Sequence, residues 1–368
     1  MSVRKILHVT YDMNIGGTEQ VIRNLVLGLD RNRFESSILC IDGDIGPWGR
    51  ELQQQGIEHY CFQRQPGFDL KLIRQIRQLV RSGGFDLIHA HQYSPYTYGW
   101  FGSVFTGVPI IFTEHGRFYP DFGTRKRKLI NPLLQTRTAA ITAISDATRQ
   151  ALVAHENFSE SKIQVIYNGI ADSRCDREPA LAESLDLSPD NVVLGTISRL
   201  DPIKNQPMMI RAFAQCLQQH PQLRLLIVGD GPQRGELEAL VEELDLAGSV
   251  IFTGFQPNPQ RYLALMDVFL LPSFSEGTSM TLLEAMCFGK PSIVTAVGGS
   301  PEIIQNGISG VVIENDSEVG LTEAIDNLVI DQSLRQLMGE GARASYEKLY
   351  SLGKMVVNYE NLYEQLIE

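Results

Sequence analysis

Short apolar, β-branched runs alternate with amphipathic segments along this chain, and the alternation occurs twice. RKILHVT (4–10) leads through a glycine loop into TEQVIRNLVLGL (18–29). SSILCI (36–41), IEHYCF (57–62), FDLIHA (85–90), VPIIFT (108–113) and TAAITAI (138–144) continue the series, with helical stretches such as LKLIRQIRQLV (70–80) between several of them. Such runs suit parallel strands buried on both faces, and the alternation predicts α/β architecture. The stretch from 170 to about 191 is polar and turn-rich. A second series then begins with NVVLGTIS (191–198), LRLLIVGD (223–230), SVIFTG (249–254), VFLLP (268–272) and PSIVTA (291–296). The expectation is a Rossmann-like domain over residues 1–170, a linker over 171–190 and a second Rossmann-like domain over 191–350. Residues 351–368 form a last helix that can pack back on the first domain. A ligand is expected in the cleft that the two domains face across, because open α/β sheets bind beyond the carboxyl ends of their strands.

The 368 residues are 43% hydrophobic and 20% charged, as in a soluble globular protein. No apolar run has the roughly 18 residues needed to span a bilayer. The N-terminal MSVRKILHVTYD has no long apolar core or small-residue cleavage site and reads as a first strand, not a signal peptide. Five scattered cysteines without a C-x-x-C pair argue against a disulfide framework or a zinc site and fit a reducing cytoplasm. The net charge of −11 is uneven. Residues 1–180 carry 21 Lys and Arg against 18 Asp and Glu; the remainder carries 11 against 25. The first half can approach an anionic surface that the second would avoid, and the overall acidity argues against nucleic acid as a partner.

The chemistry is concentrated in SFSEGTSMTLLEAMCFGKPSIVTAVGGSPEII. Glu276 opens a loop-like segment, and Glu284 lies on the helix that follows. At about 1.5 Å of rise per helical residue the two carboxylates are expected roughly 9–12 Å apart, too far to share a proton and suited to holding two parts of one elongated ligand. In GTISRLDPIKNQ, Arg199 and Lys204 follow a strand and suit a diphosphate, although solvated surface charges have the same appearance. VGDGP ends the next strand with Gly229, Asp230 and Gly231, either a plain turn or a backbone wall against a nucleotide. Gly16 and Gly17, between a strand and a helix, permit close approach of an anion to the helix N-terminus, or simply a tight turn. The dinucleotide and P-loop glycine fingerprints are both absent. In HAHQYSPY, His89 and His91 point to one face at a strand end. They could bind metal, but no carboxylate at ligand spacing accompanies them, and a packed histidine fits as well. His115 raises the same question. Arg125, Lys126, Arg127 and Lys128 beside LINPLL suit weak contact with anionic lipid headgroups at the inner face of a membrane, or a solvated face.

Taken in order, GTISRLDPIKNQ, VGDGP, SEGTSMTLLEAM with its E-x7-E spacing, VGGSPEII, and the early NIGGTEQ and HAH make the chain resemble the family 4 retaining glycosyltransferases, which have the GT-B fold. The resemblance covers nearly the whole chain. It implies that Glu276 binds hydroxyls of the donor sugar, with backbone N–H groups of Gly277 and Thr278 beside it. It implies that Glu284 holds the ribose, that Arg199 and Lys204 clamp the diphosphate, and that Gly16 and Gly17 approach the diphosphate or the sugar from the other domain. His91 would lie near the anomeric centre on the acceptor side. Ser198, Gly231 and the Gly254–Phe255–Gln256 turn would neighbour the nucleotide. The chain departs from the family pattern at Ala171, where an aspartate often follows Asn-Gly-Ile, and at Cys287, where an alanine usually follows EAM.

The resemblance implies transfer of a hexose-type sugar from a nucleoside-diphosphate-sugar, UDP or GDP, to a hydroxyl of a carbohydrate, a lipid-linked sugar or a small molecule. Retention of configuration is implied by the family alone. The sequence shows no convincing D-x-D metal motif, so Arg199 and Lys204 are expected to take the place of a metal ion, and no prosthetic group is expected. A sugar-nucleotide epimerase or a phosphorylase of the same fold would need elimination carboxylates or a pyridoxal-phosphate lysine. A non-catalytic nucleotide-sugar-binding module would bind without transfer. A dehydrogenase is disfavoured by the missing dinucleotide fingerprint.

Overall fold

A computed structural model describes residues 3–116 and 124–367. The described chain divides into two compact units, one of residues 1–171 with 352–368 and the other of residues 172–351. Each is built on one wholly parallel sheet with helices between its strands. Both are Rossmann-like.

In the N-terminal unit the strands are β1 (Arg4–Thr10), β2 (Phe34–Cys40), β3 (Glu58–Cys61), β4 (Leu87–His91), β5 (Ile110–Glu114), β6 (Ala140–Ala143) and β7 (Ile163–Val165). Their order across the sheet is β3-β2-β1-β4-β5-β6-β7. The second unit holds β8 (Val192–Ile197), β9 (Leu223–Val228), β10 (Val250–Gly254), β11 (Val268–Leu271), β12 (Ser292–Thr295) and β13 (Gly310–Ile313), in the order β10-β9-β8-β11-β12-β13. The strand order reverses between β1 and β4 in one sheet and between β8 and β11 in the other. Chains leaving neighbouring strands there turn to opposite faces and open a crevice at the carboxyl ends, where such sheets bind ligands.

The strands are apolar because both faces are covered. Leu7, Val9, Ile88, Ala90, Ile110 and Phe112 belong to one N-terminal core; Leu194, Leu225, Ile227, Leu270 and Ile293 belong to the core of the second unit. Helix Leu70–Gly83 shows how the local sequence sets an element. Asp69 caps it by accepting from the backbone N–H groups of Lys71 and Leu72, Leu72, Ile73, Ile76 and Val80 face inward, and left-handed Gly84 ends it. Edge strands β7 and β13 lie outside the apolar runs that the sequence singles out, and helix Pro179–Ser184 lies inside the predicted linker.

The last helix, Leu352–Ile367, belongs to the N-terminal unit. Val356 packs so closely on Gly28 that a Cβ there would overlap it. Tyr359 and Tyr363 are fully buried. The Glu360 carboxylate accepts from the Asp30 backbone N–H at 2.9 Å and from Arg33 Nη1 at 2.8 Å.

Candidate active site

Both groups of candidate residues stand at the two reversal points. In the C-terminal unit, β8 ends at Ile197 and delivers Ser198 and Arg199. A 3-10 turn, Pro202–Lys204, follows, then Asn205 in the left-handed region (φ 52°) and helix Gln206–Leu217. Gln206 pins this loop, its Nε2 donating to Ser198 Oγ at 3.1 Å and to the Arg199 carbonyl at 3.0 Å. The β9 loop lies directly against it. Gly229 has φ 136°, and a Cβ there would overlap the Ser198 carbonyl oxygen; a Cβ on Gly231 would overlap that of Leu200. The glycines of VGDGP are therefore required by contact between two strand-end loops.

Across the reversal, β11 delivers Ser273 and Glu276. Glu276 Oε1 accepts from Lys204 Nζ at 2.7 Å and from Ser273 Oγ at 2.6 Å, and the glutamate side chain is only 8% exposed. The sheet topology thus joins two of the predicted site residues that lie 72 positions apart. The loop carrying Glu276 is held from outside by the glycine turn of VGGSP. Gly298 adopts φ 50°, a Cβ on it would overlap the Glu276 carbonyl, and Gly299 N–H donates to that carbonyl at 3.2 Å. Thr295 Oγ1 fixes the Ser273 carbonyl in the same way.

Arg199 is different. Its side chain is 72% exposed, with the guanidinium on Asp201. Helix Met280–Cys287 is capped by Ser279 Oγ, which accepts from Leu282 N–H at 3.3 Å, and carries buried Glu284 on its second turn. Glu276 lies before this helix, so the all-helical rise behind the expected separation of the two glutamates covers only part of the path. Gly277 and Thr278 fill the turn between them, Thr278 buried. Phe255 is exposed after left-handed Gly254. At the two departures from the family pattern, Cys287 is fully buried, and its Sγ lies 3.4 Å from the carboxylate of Asp172, which also receives Arg343 Nη2 at 2.7 Å. Hydrogen bonds from Arg174 and Arg343 hold Asp172 well below the usual carboxylate range. The turn after Ala171 is thus tied through Asp172 to Arg343 and Cys287.

In the N-terminal unit, Gly16 caps helix Gly17–Gly28 in extended conformation (φ −162°), so left-handed strain does not require its glycine. A Cβ there would instead overlap Glu19 Oε2, while Gly17 has open space above it. Burial pushes the Glu19 carboxyl up to about 7.

The reversal between β1 and β4 gathers histidines. His8 stands opposite His89 in the register, and His91 opposite Thr113 of β5. His89 is committed on both sides, to Tyr363 Oη through Nδ1 and to Thr113 Oγ1 through Nε2, each at 2.6 Å. His91 Nε2 meets His8 Nδ1 at 3.1 Å, and His91 Nδ1 meets His115 Nε2 at 2.8 Å. His8 Nε2 faces Ser36 Oγ at 3.5 Å. Burial lowers the basicity of all four rings, His8 and His115 to about 3, so they are neutral at ordinary pH. One ring nitrogen each from His8, His89 and His91 come within 4.8 Å of one another. All six nitrogens of these three rings already have hydrogen-bond partners, so a metal ion would have to displace them, and the group fits a polar network better than a metal centre.

His91, expected beside the anomeric centre, therefore has both nitrogens occupied and is buried. Of these four rings, His115 is the one with a buried nitrogen, Nδ1, that has no hydrogen-bond partner among the described residues. Ser273, Gln206, Gly298 and His8 were not singled out from the sequence. Their contacts come from strand register and loop packing, which the motifs holding Gln206, Ser273 and Gly298 do not by themselves display.

The site and fold define a class. The model for "Glycosyltransferase Family 4" matches residues 15–174 and that for "Glycosyl transferases group 1" matches residues 178–345. The chain belongs to the GT-B glycosyltransferases. Among its relatives, the N-acetyl-alpha-D-glucosaminyl L-malate synthase of Bacillus anthracis is 29% identical over 84% of this chain and 83% of its own length. An N-acetylgalactosaminyltransferase of Campylobacter jejuni, which acts on a diphospho-undecaprenol-linked sugar, is 26% identical over 89% of this chain and 90% of its own. Among solved structures, Anabaena Alr3699/HepE in complex with UDP superposes with a TM-score of 0.87 at 23% identity, covering 98% of this chain and 100% of that one.

Proposed function

We propose that the chain transfers a hexose-type sugar from a UDP- or GDP-sugar to a hydroxyl acceptor, with retention of configuration and without a metal ion. The observation that carries this reading is the Lys204–Glu276–Ser273 cluster at the β8/β11 reversal. The hydrogen bonds from Lys204 and Ser273 both fall on Oε1 of the Glu276 carboxylate, which leaves Oε2 for a donor hydroxyl. Lys204 and exposed Arg199 supply positive charge where the diphosphate develops negative charge, and Glu284, deeper on its helix, holds the ribose. Ser198, Gly231, Phe255 and the N–H groups of Gly277 and Thr278 line the nucleotide and sugar positions. On the N-terminal unit, the open space above Gly17 suits close approach of an anion.

In the transfer, the bond from the anomeric carbon to the diphosphate oxygen breaks and a bond to the acceptor oxygen forms on the same face. The acceptor proton passes to the departing phosphate. Preorganised cations at that phosphate are worth about 10²–10³ in rate each.

Nucleotide release with acceptor present, run across UDP- and GDP-sugars and repeated with a chelator, tests the activity and its metal independence. The anomeric configuration of the product tests retention. Glu276→Ala should abolish transfer and largely spare nucleoside-diphosphate binding, whereas Arg199→Ala and Lys204→Ala should weaken both. Equal loss of nucleotide binding in all three would contradict this division of labour, and binding without transfer in the wild type would make the chain a binding module.

The second element of the proposal is weak contact with an anionic membrane through helix Arg125–Leu134. Leu129 is 80% and Leu133 65% exposed, one turn apart on one face. Not all four basic residues are free for headgroups. Arg127 pairs with Glu156 at 3.0 Å and covers the Tyr93 ring, and Lys128 Nζ donates to the Ala154 carbonyl at 3.1 Å. Arg125 and Lys126 remain. No described helix is long and apolar enough to cross a membrane.

A further inference from the structure

The contacts Ser36–His8–His91–His115 form one continuous line through three neutral imidazoles. A neutral imidazole carries one proton on two nitrogens, so each ring in such a line donates on one side and accepts on the other. Only two arrangements satisfy both inter-ring bonds. In one, all three rings carry the proton on Nδ1: His8 donates to His91, His91 donates to His115, and His115 Nδ1 presents an N–H. In the other, all three carry it on Nε2: His115 donates to His91, His91 donates to His8, His8 donates to Ser36, and His115 Nδ1 presents a lone pair. Whether His115 Nδ1 is a donor or an acceptor is therefore coupled to the tautomer of His8, two rings away. That nitrogen is buried and unpartnered among the described residues. A buried polar atom in that condition calls for a partner. His89 stands outside the line, since its own bonds run to Tyr363 and Thr113.

We infer that His8 is a positioning residue for the transfer reaction: through His91 it sets the tautomer of His115 and hence the polarity of the nitrogen that His115 Nδ1 offers to a ligand hydroxyl. This rests on the transferase reading above for its consequence, but the tautomer coupling does not. The residue lies inside β1 with no motif around it, and its partner His91 belongs to a different strand, 83 positions on.

The test uses the full-length chain labelled with ¹⁵N at histidine, in which the ring-nitrogen shifts report the tautomer of each assigned ring. In the wild type His8, His91 and His115 should share one tautomer. His8→Met should change the tautomer of His115 and leave His89 as it was, the latter serving as the control for an intact sheet. His8→Asn, whose amide can occupy the place of Nδ1, should restore the wild-type state. In transfer assays His8→Met should lower kcat by about 10²-fold, the lower end for misdirecting one acid–base or hydrogen-bonding group, with the donor KM nearly unchanged and activity returning in His8→Asn. An unchanged His115 tautomer in a folded His8→Met chain overturns the inference, as does a changed tautomer with unchanged kcat. If the wild type transfers no sugar to any acceptor, the functional reading fails, and the ¹⁵N spectra still decide the coupling.

Discussion

Glu19 shows how one side chain ties the glycine loop to pH. Its carboxylate lies where a Cβ of Gly16 would be, and burial lifts its pKa from 4.5 to about 7, with Asp12 adding a smaller push. A carboxyl more basic in the folded state than in the unfolded one favours folding while protonated. That contribution is complete below about 4.5 and is lost as pH rises through about 7. Glu19→Gln should therefore raise Tm relative to wild type at pH 8, and the gap should close as pH falls toward 5; thermal melts across that range would show it. A constant gap would mean that Glu19 is ionised throughout. At this scale the sequence was legible where a residue's role is local. Glu276, Lys204 and the glycines of VGDGP, whose contacts the structure shows, all lie in short signatures. His8 does not, because what it does depends on a strand beside it in space.

Among the elements, the strands at the centre of each sheet were legible from their apolar runs, since burial on both faces demands them. β7 and β13 were missed for the complementary reason. They are edge strands of three and four residues, with only part of each buried. Helix Arg125–Leu134 belongs at this scale too. The sequence shows four adjacent basic residues, but only helical geometry shows that Leu129 and Leu133 stand on one exposed face while Arg127 and Lys128 turn back to the protein. The apolar pair should thus matter to membrane contact as much as the charge. Replacing Leu129 and Leu133 by serine should reduce sedimentation with vesicles of anionic lipid several-fold, and raising salt should weaken what remains. Equal binding of the double variant would leave charge alone as the cause, and no binding by the wild type would remove this helix from the account.

For the whole molecule, the dependence of the first unit on the last helix is decisive. Ending the chain at Ser351 would strip Tyr359 and Tyr363 from the first sheet, break the His89–Tyr363 bond and leave Asp30 N–H and Arg33 without Glu360. Each large aromatic removed from a core costs about 3–5 kcal/mol. Two such losses approach the 5–15 kcal/mol that holds a typical domain together. The truncated chain should show loss of a cooperative thermal transition for the first unit, read by near-UV circular dichroism, while the transition of the second unit persists. A single unchanged melting curve would refute this dependence.

That same helix also sets an order of events during synthesis. Residues 172–351, 180 in all, must be translated before the helix that covers the first sheet exists. At about 5–20 residues per second this is a delay of roughly 10–40 s. For that interval the sheet bearing His8, His89 and His91 waits on the ribosome with one patch bare, while the second unit can complete its own core as it emerges. The part of the chain made first is finished last.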